Sequence, residues 1–244
     1  MPEATSNQPL RIFIGFDHRQ ALAINVLQFS IFRRCSKPVS INPLVLPTLP
    51  IKRQGLTPFT YSRFLVPWLC DFQGWALFVD LDFLALGDLA ELFANADDRY
   101  AAMVVQNPKK FEWASLILYN CGHPANRVLT PDYVDNPERC RTPHTMDWLT
   151  PDLVGPLPSE WNHLVGYDPP RQDAKFVHYT QGMPIFEETT GSEYREQWLA
   201  EHKAANSSSG WQELMARSVH SARTADGRIV AKLHPSALPA SSAA

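Results

Sequence analysis

Two aspartates separated by one residue end an apolar stretch and are the clearest chemical signal in the sequence. Residues 76–79 form an uncharged apolar run, which predicts a strand buried on both faces. Asp80 and Asp82 follow, and in an extended chain side chains two positions apart point to the same side. Two such carboxylates are costly to desolvate unless a cation compensates them. The pattern indicates either a metal site or a strand that ends in a polar turn.

A histidine that could complete a metal site stands much later in the chain. Residues 174–179, AKFVHY, predict a strand that delivers His178 to its end. A lone histidine at such a place is ordinarily structural, but two carboxylates and one imidazole together suit a divalent ion such as Mn²⁺, or Mg²⁺, better than a closed zinc cage. A metal ion held in this way can bridge the phosphates of a nucleotide and stabilise charge on a leaving diphosphate.

The segments before the aspartates predict the elements that position them. Residues 11–17 form a β-branched and aromatic run, residues 20–34 repeat apolar side chains at helical spacing, and residues 39–47 predict a second strand. This strand–helix–strand order predicts a largely parallel sheet that binds ligands at the carboxyl ends of its strands. We therefore expect Asp17 and Asp80 to share one edge of the sheet.

The rest of the chain predicts further helices and strands around this sheet. Residues 60–72 have helical apolar spacing, with a kink expected at Pro67. Asp88, with Glu91 three residues later, resembles a capping box and indicates a helix start just after the aspartates. Other expected elements are strands at 100–106 and 113–121, an irregular stretch at 124–170, and helices at 193–203 and 211–223.

Length and composition limit the class of protein. The 244 residues suffice for one sizeable α/β domain, which we expect at 10–203, between a disordered leader at 1–9 and a C-terminal helix and flexible tail at 204–244. A formal net charge of -3 gives no electrostatic case for nucleic-acid binding. The four cysteines contain no C-x-x-C pair, which argues against structural zinc and against a disulfide framework.

Targeting signals are the last general feature. The first residues lack the pattern of a signal peptide, and no apolar run approaches the ~20 residues of a membrane span. We therefore expect a cytoplasmic protein without a transmembrane segment, and peripheral membrane contact stays open.

The order of these motifs resembles glycosyltransferase family 8, the galactosyltransferase and glycogenin group with a GT-A fold. The blocks that carry the resemblance are IFIGFDHRQALAINVLQFSI, TYSRF followed by ALFVDLDFLALGDL, and FVHYTQGMP. They lie within residues 11–186, and the middle of the chain is matched loosely. The resemblance implies a GT-A-like (Rossmann-like), mostly parallel sheet flanked by helices in a single domain.

The resemblance also implies roles for individual residues. Asp80, Asp82 and His178 match the metal ligands of the family. Arg63 matches the arginine of a Tyr-x-Arg motif that reaches the donor sugar and its phosphates. The other implied site residues are Gly15, Asp17 and Arg19 at the nucleotide, Ser115 at the middle-strand motif, Asn162 at the acceptor side, and Asp147 as a catalytic candidate beside Arg63.

The sequence departs from the family pattern at several places. A lysine that would clamp the diphosphate is missing after His178, where Gln181, Gly182 and Met183 run to Pro184. The other departures are Trp113, Ala114 and Ser115 in place of Asn-Ala-Gly, Arg19 in place of a small polar residue, and the absence of a Gln beside Asp147.

The sequence favours a metal-dependent glycosyltransferase that moves a sugar from a nucleoside diphosphate donor, expected to be UDP-linked, to a hydroxyl of a glycan or lipid-linked acceptor. The resemblance to family 8 implies retention at the anomeric carbon. Two alternatives stay open. A phosphohydrolase of the haloacid dehalogenase type also has Asp-x-Asp at a strand end, but it continues with Gly-Thr where Phe83 and Leu84 stand. A non-catalytic nucleotide-sugar binder, or a subunit of a polysaccharide assembly, is compatible with the missing lysine.

Overall fold

The computed structural model describes residues 8–215 and 222–230 of the chain. Two compact units are present, Met1–Ala205 and Asn206–Ala244. Most of the expected leader, residues 1–7, and all of the Ala-, Ser- and Pro-rich end at 234–244 lie outside the described residues.

The first unit is a mixed α/β structure. Its strands are β1 (Leu10–Gly15), β2 (Val39–Leu44), β3 (Trp75–Val79), β4 (Phe83–Ala85), β5 (Ala102–Val104), β6 (Leu116–Asn120), β7 (Val154–Pro156), β8 (His163–Leu164) and β9 (Phe176–His178). Its α-helices are α1 (Ala21–Arg34), α2 (Val66–Leu69), α3 (Leu89–Phe93), α4 (Pro131–Val134) and α5 (Arg195–Ala205). Short 3₁₀ helices lie between them, among them Ser62–Leu65, Lys110–Ser115 and Pro143–Thr145.

A six-stranded sheet with the order β2-β1-β3-β6-β5-β7 forms the centre of this unit. β1 is parallel to β2 and β3, and β5 is parallel to β7, whereas β6 runs antiparallel to both of its neighbours. The central strand β3 has Ala76–Val79 fully buried, as its apolar run predicts. The α/β class with a mostly parallel sheet flanked by helices is confirmed.

A smaller sheet with the order β4-β9-β8 joins the first sheet through the turn that follows β3. β9 is antiparallel to β4, and Phe83 lies opposite His178 in this pair. The strand predicted at residues 174–179 is confirmed as β9, which is shorter and covers Phe176–His178. The two sheets meet at residues 80–82, so this turn is where side chains from both can converge.

Several boundaries differ from the sequence predictions for local reasons. The helix expected at 60–72 is a 3₁₀ turn, Ser62–Leu65, followed by the short α2. The expected kink is wrong, because Pro67 lies in the first turn of α2, where a missing N–H is tolerated. The strand expected at 113–121 starts only at Leu116, because Lys110–Ser115 are helical.

The helix start after the aspartates is confirmed at α3. Asp88 caps this helix by accepting a hydrogen bond from Ala90 N at 2.9 Å. The capping box is not completed, because the Glu91 carboxylate pairs with Lys175 Nζ at 2.7 Å. Lys175 precedes β9, so this ion pair connects α3 with the strand that carries His178.

The second unit contains α6 (Trp211–Met215) and an antiparallel hairpin of β10 (Ala222–Arg223) and β11 (Ile229–Val230). The helix predicted at 211–223 is wrong at its end, since Ala222–Arg223 form a strand, and residues 216–221 lie outside the described part of the chain. Among the helices of the described residues, none is both long and apolar enough to cross a membrane.

Candidate functional site

The three predicted metal ligands come together where the two sheets meet. β3 ends at Val79, so Asp80 and Asp82 lie in the turn between β3 and β4, and β9 ends at His178. One ligand atom from each of the three side chains lies within 4.8 Å of the others. The closest contact joins His178 Nε2 to Asp82 Oδ1 at 3.4 Å.

The backbone holds these side chains in place. Asp80 N donates to Ser115 O at 2.9 Å, and Tyr179 N donates to Asp82 O at 3.0 Å. The His178 ring stacks on the ring of Phe83, with 4.2 Å between centroids. Because hydrogen bonds and packing fix the two aspartates and His178, the cluster is arranged before any ligand arrives.

The cluster contains buried polar atoms without hydrogen-bond partners. Within the described residues, Asp80 Oδ1, Asp82 Oδ1 and His178 Nδ1 make no hydrogen bond, although Asp80 Oδ1 lies 3.0 Å from Arg63 Nη1. Leaving a buried polar atom unsatisfied costs about 1–3 kcal/mol. A divalent cation would compensate the carboxylate oxygens, and two oxygens with one nitrogen suit Mn²⁺ or Mg²⁺. The residues present fit such an ion.

Burial and mutual repulsion shift the protonation of the cluster. Burial, together with the negative charge of Asp82, raises the pKa of Asp80 to about 7, although the charges of Arg63 and His178 oppose this shift. Burial by itself lowers the pKa of His178, but the negative charge of Asp82, 3.4 Å from the imidazole, outweighs this effect, so that the pKa is raised. The cluster therefore favours a bound positive charge, whether a proton or a metal ion.

Arg63 is buried beside Asp80. Its Nη1 donates to Ala114 O at 2.7 Å, and its Nε donates to Phe59 O at 3.3 Å. The guanidinium also lies 4.9 Å from the centre of the Phe78 ring. These contacts hold a cation next to the carboxylates, which is where a diphosphate would need one.

Ser115 and Asn162 also lie at the cluster. Asn162 Nδ2 donates to Ser115 Oγ at 3.0 Å, and Ser115 Oγ donates to Glu112 O at 2.6 Å. Asn162 Oδ1 is buried without a hydrogen-bond partner among the described residues. Because Ser115 O binds the backbone of Asp80, the structure brings both residues next to the proposed ligands.

Asp17 lies at the carboxyl end of β1 and is already paired. It is fully buried, and its carboxylate accepts from Arg19 Nη2 at 2.5 Å and from Arg19 Nε at 3.0 Å. These hydrogen bonds hold the pKa of Asp17 below its ordinary value. Packing explains the glycine at position 15, because a Cβ there would lie 2.5 Å from the Phe59 ring. The nucleotide roles of Gly15, Asp17 and Arg19 stay predictions.

An open cavity of about 510 Å³ lies beside Arg19. Its walls come from the residues after β1, the residues after β2, and the loop at 54–58. Among the lining side chains are Phe16, Arg19, Leu46, Leu56 and Thr57. A cavity of this size, with apolar walls and a few polar groups, can receive a flat heterocycle and a ribose.

Asp147 has a local partner. Its Oδ2 accepts from Thr142 N and from Thr142 Oγ1, both at 2.8 Å, and its side chain is exposed. These bonds close the loop that contains Pro143–Thr145. The catalytic role of Asp147 stays a prediction.

Glu112 lies near the cluster and is not among the site residues predicted from the sequence. It lies in the 3₁₀ helix Lys110–Ser115, and its charge raises the pKa of both Asp80 and His178. Its place three positions before Ser115, just ahead of β6, is the signal that could have identified it.

Solved structures of glycosyltransferases share this fold. The bifunctional glycosyltransferase WbbM in its apo form matches with a TM-score of 0.60 and 16% identity over 85% of this chain. Our chain spans 51% of the WbbM chain, about half its length. The galactosyltransferase LgtC, solved with donor and acceptor sugar analogues, matches with a TM-score of 0.58 and 14% identity over 84% of this chain and 99% of its own. At these identities the likeness establishes the fold.

A relative is also recognisable in sequence. No family model matches the chain. Protein CDI of Arabidopsis thaliana is 38% identical over 236 residues, which cover 83% of this chain and 90% of that protein. With this identity over most of both sequences, the chain belongs to the family of the Arabidopsis protein CDI.

Proposed function

We propose that this chain is a metal-dependent glycosyltransferase of the family 8 type. It moves a sugar from a nucleoside diphosphate donor, with UDP as the expected nucleotide, to a hydroxyl of a glycan or lipid-linked acceptor. The observation that carries the proposal is the convergence of Asp80, Asp82 and His178 within 4.8 Å, beside a buried Arg63. The fold shared with glycosyltransferases supports the same reaction class over phosphohydrolysis.

The metal ligands and Arg63 act on the leaving group. Asp80, Asp82 and His178 would hold Mn²⁺ or Mg²⁺, and the bound ion supplies charge stabilisation for the diphosphate. Arg63 adds a guanidinium whose position is fixed by Ala114 O and Phe59 O. The bond between the anomeric carbon and the diphosphate oxygen breaks with its electron pair on that oxygen, and the acceptor oxygen bonds to the carbon. The hydroxyl proton passes to the diphosphate, a front-face route that retains the anomeric configuration.

The proposed nucleotide site is the cavity beside Arg19. The walls of this cavity lie at the carboxyl ends of β1 and β2, the edge at which mostly parallel sheets bind nucleotides. The proposed nucleotide contacts are Gly15, Asp17 and Arg19, and the proposed sugar and phosphate contacts are Arg63, Asp80, Ser115 and Asn162. The cytoplasmic location stays a prediction from the sequence.

One observation favours a second candidate, a nucleotide-sugar binder that does not transfer. Within the described residues, Arg63 is the only arginine or lysine that lies within ion-pair distance of Asp80 or Asp82. The segment after His178 supplies no lysine, and Met183 there is buried. A site with this weaker support for the leaving diphosphate could bind a donor without cleaving it.

Calorimetric titration of UDP with and without MnCl₂ tests the proposal. Wild type is expected to bind UDP only with Mn²⁺, and Asp80→Asn is expected to lose at least about tenfold in affinity, the equivalent of ~1.4 kcal/mol. Asp97→Asn, which changes an acid in an exposed ion pair with Arg99, is the matched control and should bind as wild type does. Equal binding by Asp80→Asn and wild type would exclude the proposed metal site.

Turnover then separates the two candidates. Release of UDP from a panel of UDP-sugars with Mn²⁺, followed by chromatography, is expected for the enzyme. Tight Mn²⁺-dependent binding without UDP release from any donor, with a range of sugar acceptors present, would favour the binder.

A further inference from the structure

Phe111, in the 3₁₀ helix Lys110–Ser115, is an exposed aromatic residue whose ring stacks on a buried histidine. Phe111 is 62% exposed, although it is a large apolar side chain. One face of its ring stacks on His144, with 4.8 Å between centroids and 15° between planes. The ring therefore has a fixed orientation, and most of its surface remains open to a ligand.

His144, the residue on which the Phe111 ring stacks, is held by packing and is uncharged. His144 is buried, and it contacts the ring of Phe64 edge-on at 5.2 Å and that of Tyr61 at 6.1 Å. Burial, with the charges of Arg63 and Arg53, lowers the pKa of His144 to about 3. The stack is thus formed by a neutral imidazole at physiological pH, and no positive charge lies directly beneath Phe111.

The chain geometry ties this ring to the candidate site. Phe111 belongs to the 3₁₀ helix Lys110–Ser115, whose last residues bind the cluster directly. Ala114 O accepts from Arg63, and Ser115 O accepts from the backbone of Asp80. Phe111 thus lies on the same short helix as Ala114 and Ser115, the residues that contact Arg63 and Asp80.

The next residue of the same helix, Glu112, carries a carboxylate without a partner in the described part of the chain, and its charge acts on Asp80 and His178. Within the described residues, no hydrogen bond or ion pair engages the Glu112 side chain, which is partly exposed. The other acids considered for the site each have a partner: Asp17 with Arg19, Asp80 with Arg63, Asp82 with His178, and Asp147 with Thr142. Glu112 is therefore the acid here that is left to accept hydrogen bonds from a ligand.

An exposed aromatic ring and an unpaired carboxylate on one short helix are groups that suit a sugar ring. The apolar C–H face of a pyranose packs on an aromatic ring, and its hydroxyls donate to a carboxylate, which accepts strong, charge-assisted hydrogen bonds.

We propose that Phe111 and Glu112 form a subsite for a pyranose ring. This inference rests on the proposed function and adds two residues to it. The ring belongs either to the transferred sugar of the donor or to the acceptor, because both must lie beside the metal-bound diphosphate. Phe111 supplies the stacking face, and Glu112 accepts from a ring hydroxyl.

Binding measurements on Phe111→Ala and Glu112→Gln test the subsite. The probes are UDP, UDP-glucose and UDP-galactose, each with Mn²⁺, and methyl glycosides of glucose and galactose observed by saturation-transfer NMR. The control is Phe32→Ala, which removes a ring of similar exposure, 56%, from α1. Phe111→Ala and the control are expected to retain the affinity of wild type for UDP, and the sugar binding of Glu112→Gln is judged relative to its own affinity for UDP.

The two sources of the sugar give different results. If the ring is the donor's, both test variants bind one of the UDP-sugars about fivefold to tenfold more weakly than wild type does, while the control does not. If the ring is the acceptor's, the UDP-sugar affinities are unchanged and the saturation transfer to a methyl glycoside is lost. The subsite is overturned if both variants match wild type with every probe.

The same measurements separate this inference from the proposed function. Failure of UDP to bind wild type would refute the proposed function, whereas the methyl glycosides would still test the subsite. Normal UDP binding, together with unchanged sugar binding in both variants, would refute the subsite alone.

Discussion

Phe83 lies directly opposite His178 in the antiparallel pair of β4 and β9. This pairing sets the position of the imidazole relative to Asp82, the residue before Phe83, and their closest atoms are 3.4 Å apart. The position of Asp80, Asp82 and His178 thus depends on strand pairing in the small sheet as well as on the end of β3. Substitutions that test the site should therefore separate loss of a ligand from loss of this pairing.

Replacement of the imidazole should abolish the response to metal. In wild type, saturating Mn²⁺ and UDP are expected to raise the free energy of unfolding by roughly 2.7 kcal/mol at a hundredfold excess over the dissociation constant. His178→Ala should lose this increase, because one of three ligands is gone. Thermal unfolding with and without Mn²⁺ measures it. The opposite result, a full Mn²⁺ response in His178→Ala, would show that the ion binds elsewhere.

Arg63→Lys keeps the positive charge but removes the planar fork. Lysine cannot donate at once to Ala114 O, Phe59 O and a phosphate from the position that Arg63 holds. We expect about tenfold weaker Mn²⁺-dependent UDP binding, with the free energy of unfolding changed much less than by Arg63→Ala. Calorimetry and urea denaturation measure the two effects. An Arg63→Lys protein with unchanged UDP affinity would argue against a phosphate role.

Glu201 stabilises the contact of α5 with α1. Its buried carboxylate accepts from Arg34 Nη2 at 2.6 Å and from Arg33 Nη1 at 3.2 Å. Glu201→Ala leaves both guanidinium groups without this partner, and we expect a loss of about 1–3 kcal/mol, discounted because Arg33 is half exposed. Glu138→Ala removes an exposed pair with Arg141 and should change stability by less than about 0.5 kcal/mol. Urea denaturation measures both, and equal effects would contradict the prediction.

His144 should make the folded state sensitive to acid. Its pKa is lowered from 6.5 to about 3, so between these values the unfolded chain binds a proton that the folded chain does not. The stability that depends on neutral His144 is fully present above about pH 6.5 and is lost as the pH falls towards 3, at up to ~1.4 kcal/mol per pH unit.

His144→Gln provides the comparison for this pH dependence. The variant loses the ring packing at every pH but lacks the titrating group. The stability advantage of wild type over His144→Gln should therefore shrink as the pH is lowered from 7 to 4. Urea denaturation at several pH values measures the difference. A constant difference across this range would contradict a neutral, buried imidazole.

Local sequence patterns determined much of the fold. The apolar run of residues 76–79 determined a buried strand, because a continuous apolar segment must leave water on both faces. The spacing of Asp80 and Asp82 determined that both carboxylates leave the end of that strand together. Asp88 determined the start of α3, because a side-chain cap is satisfied by neighbouring backbone.

Tertiary structure decided which of these groups meet. His178 reaches Asp82 only because β9 pairs with β4, and no local pattern encodes a contact between residues so far apart in the chain. The antiparallel direction of β6 likewise follows from its neighbours in the sheet. The free carboxylate of Glu112 became visible only in the folded chain, since whether an acid is paired depends on long-range packing. The sequence by itself thus determined the elements and the chemistry at their ends, and the fold decided which side chains form a site.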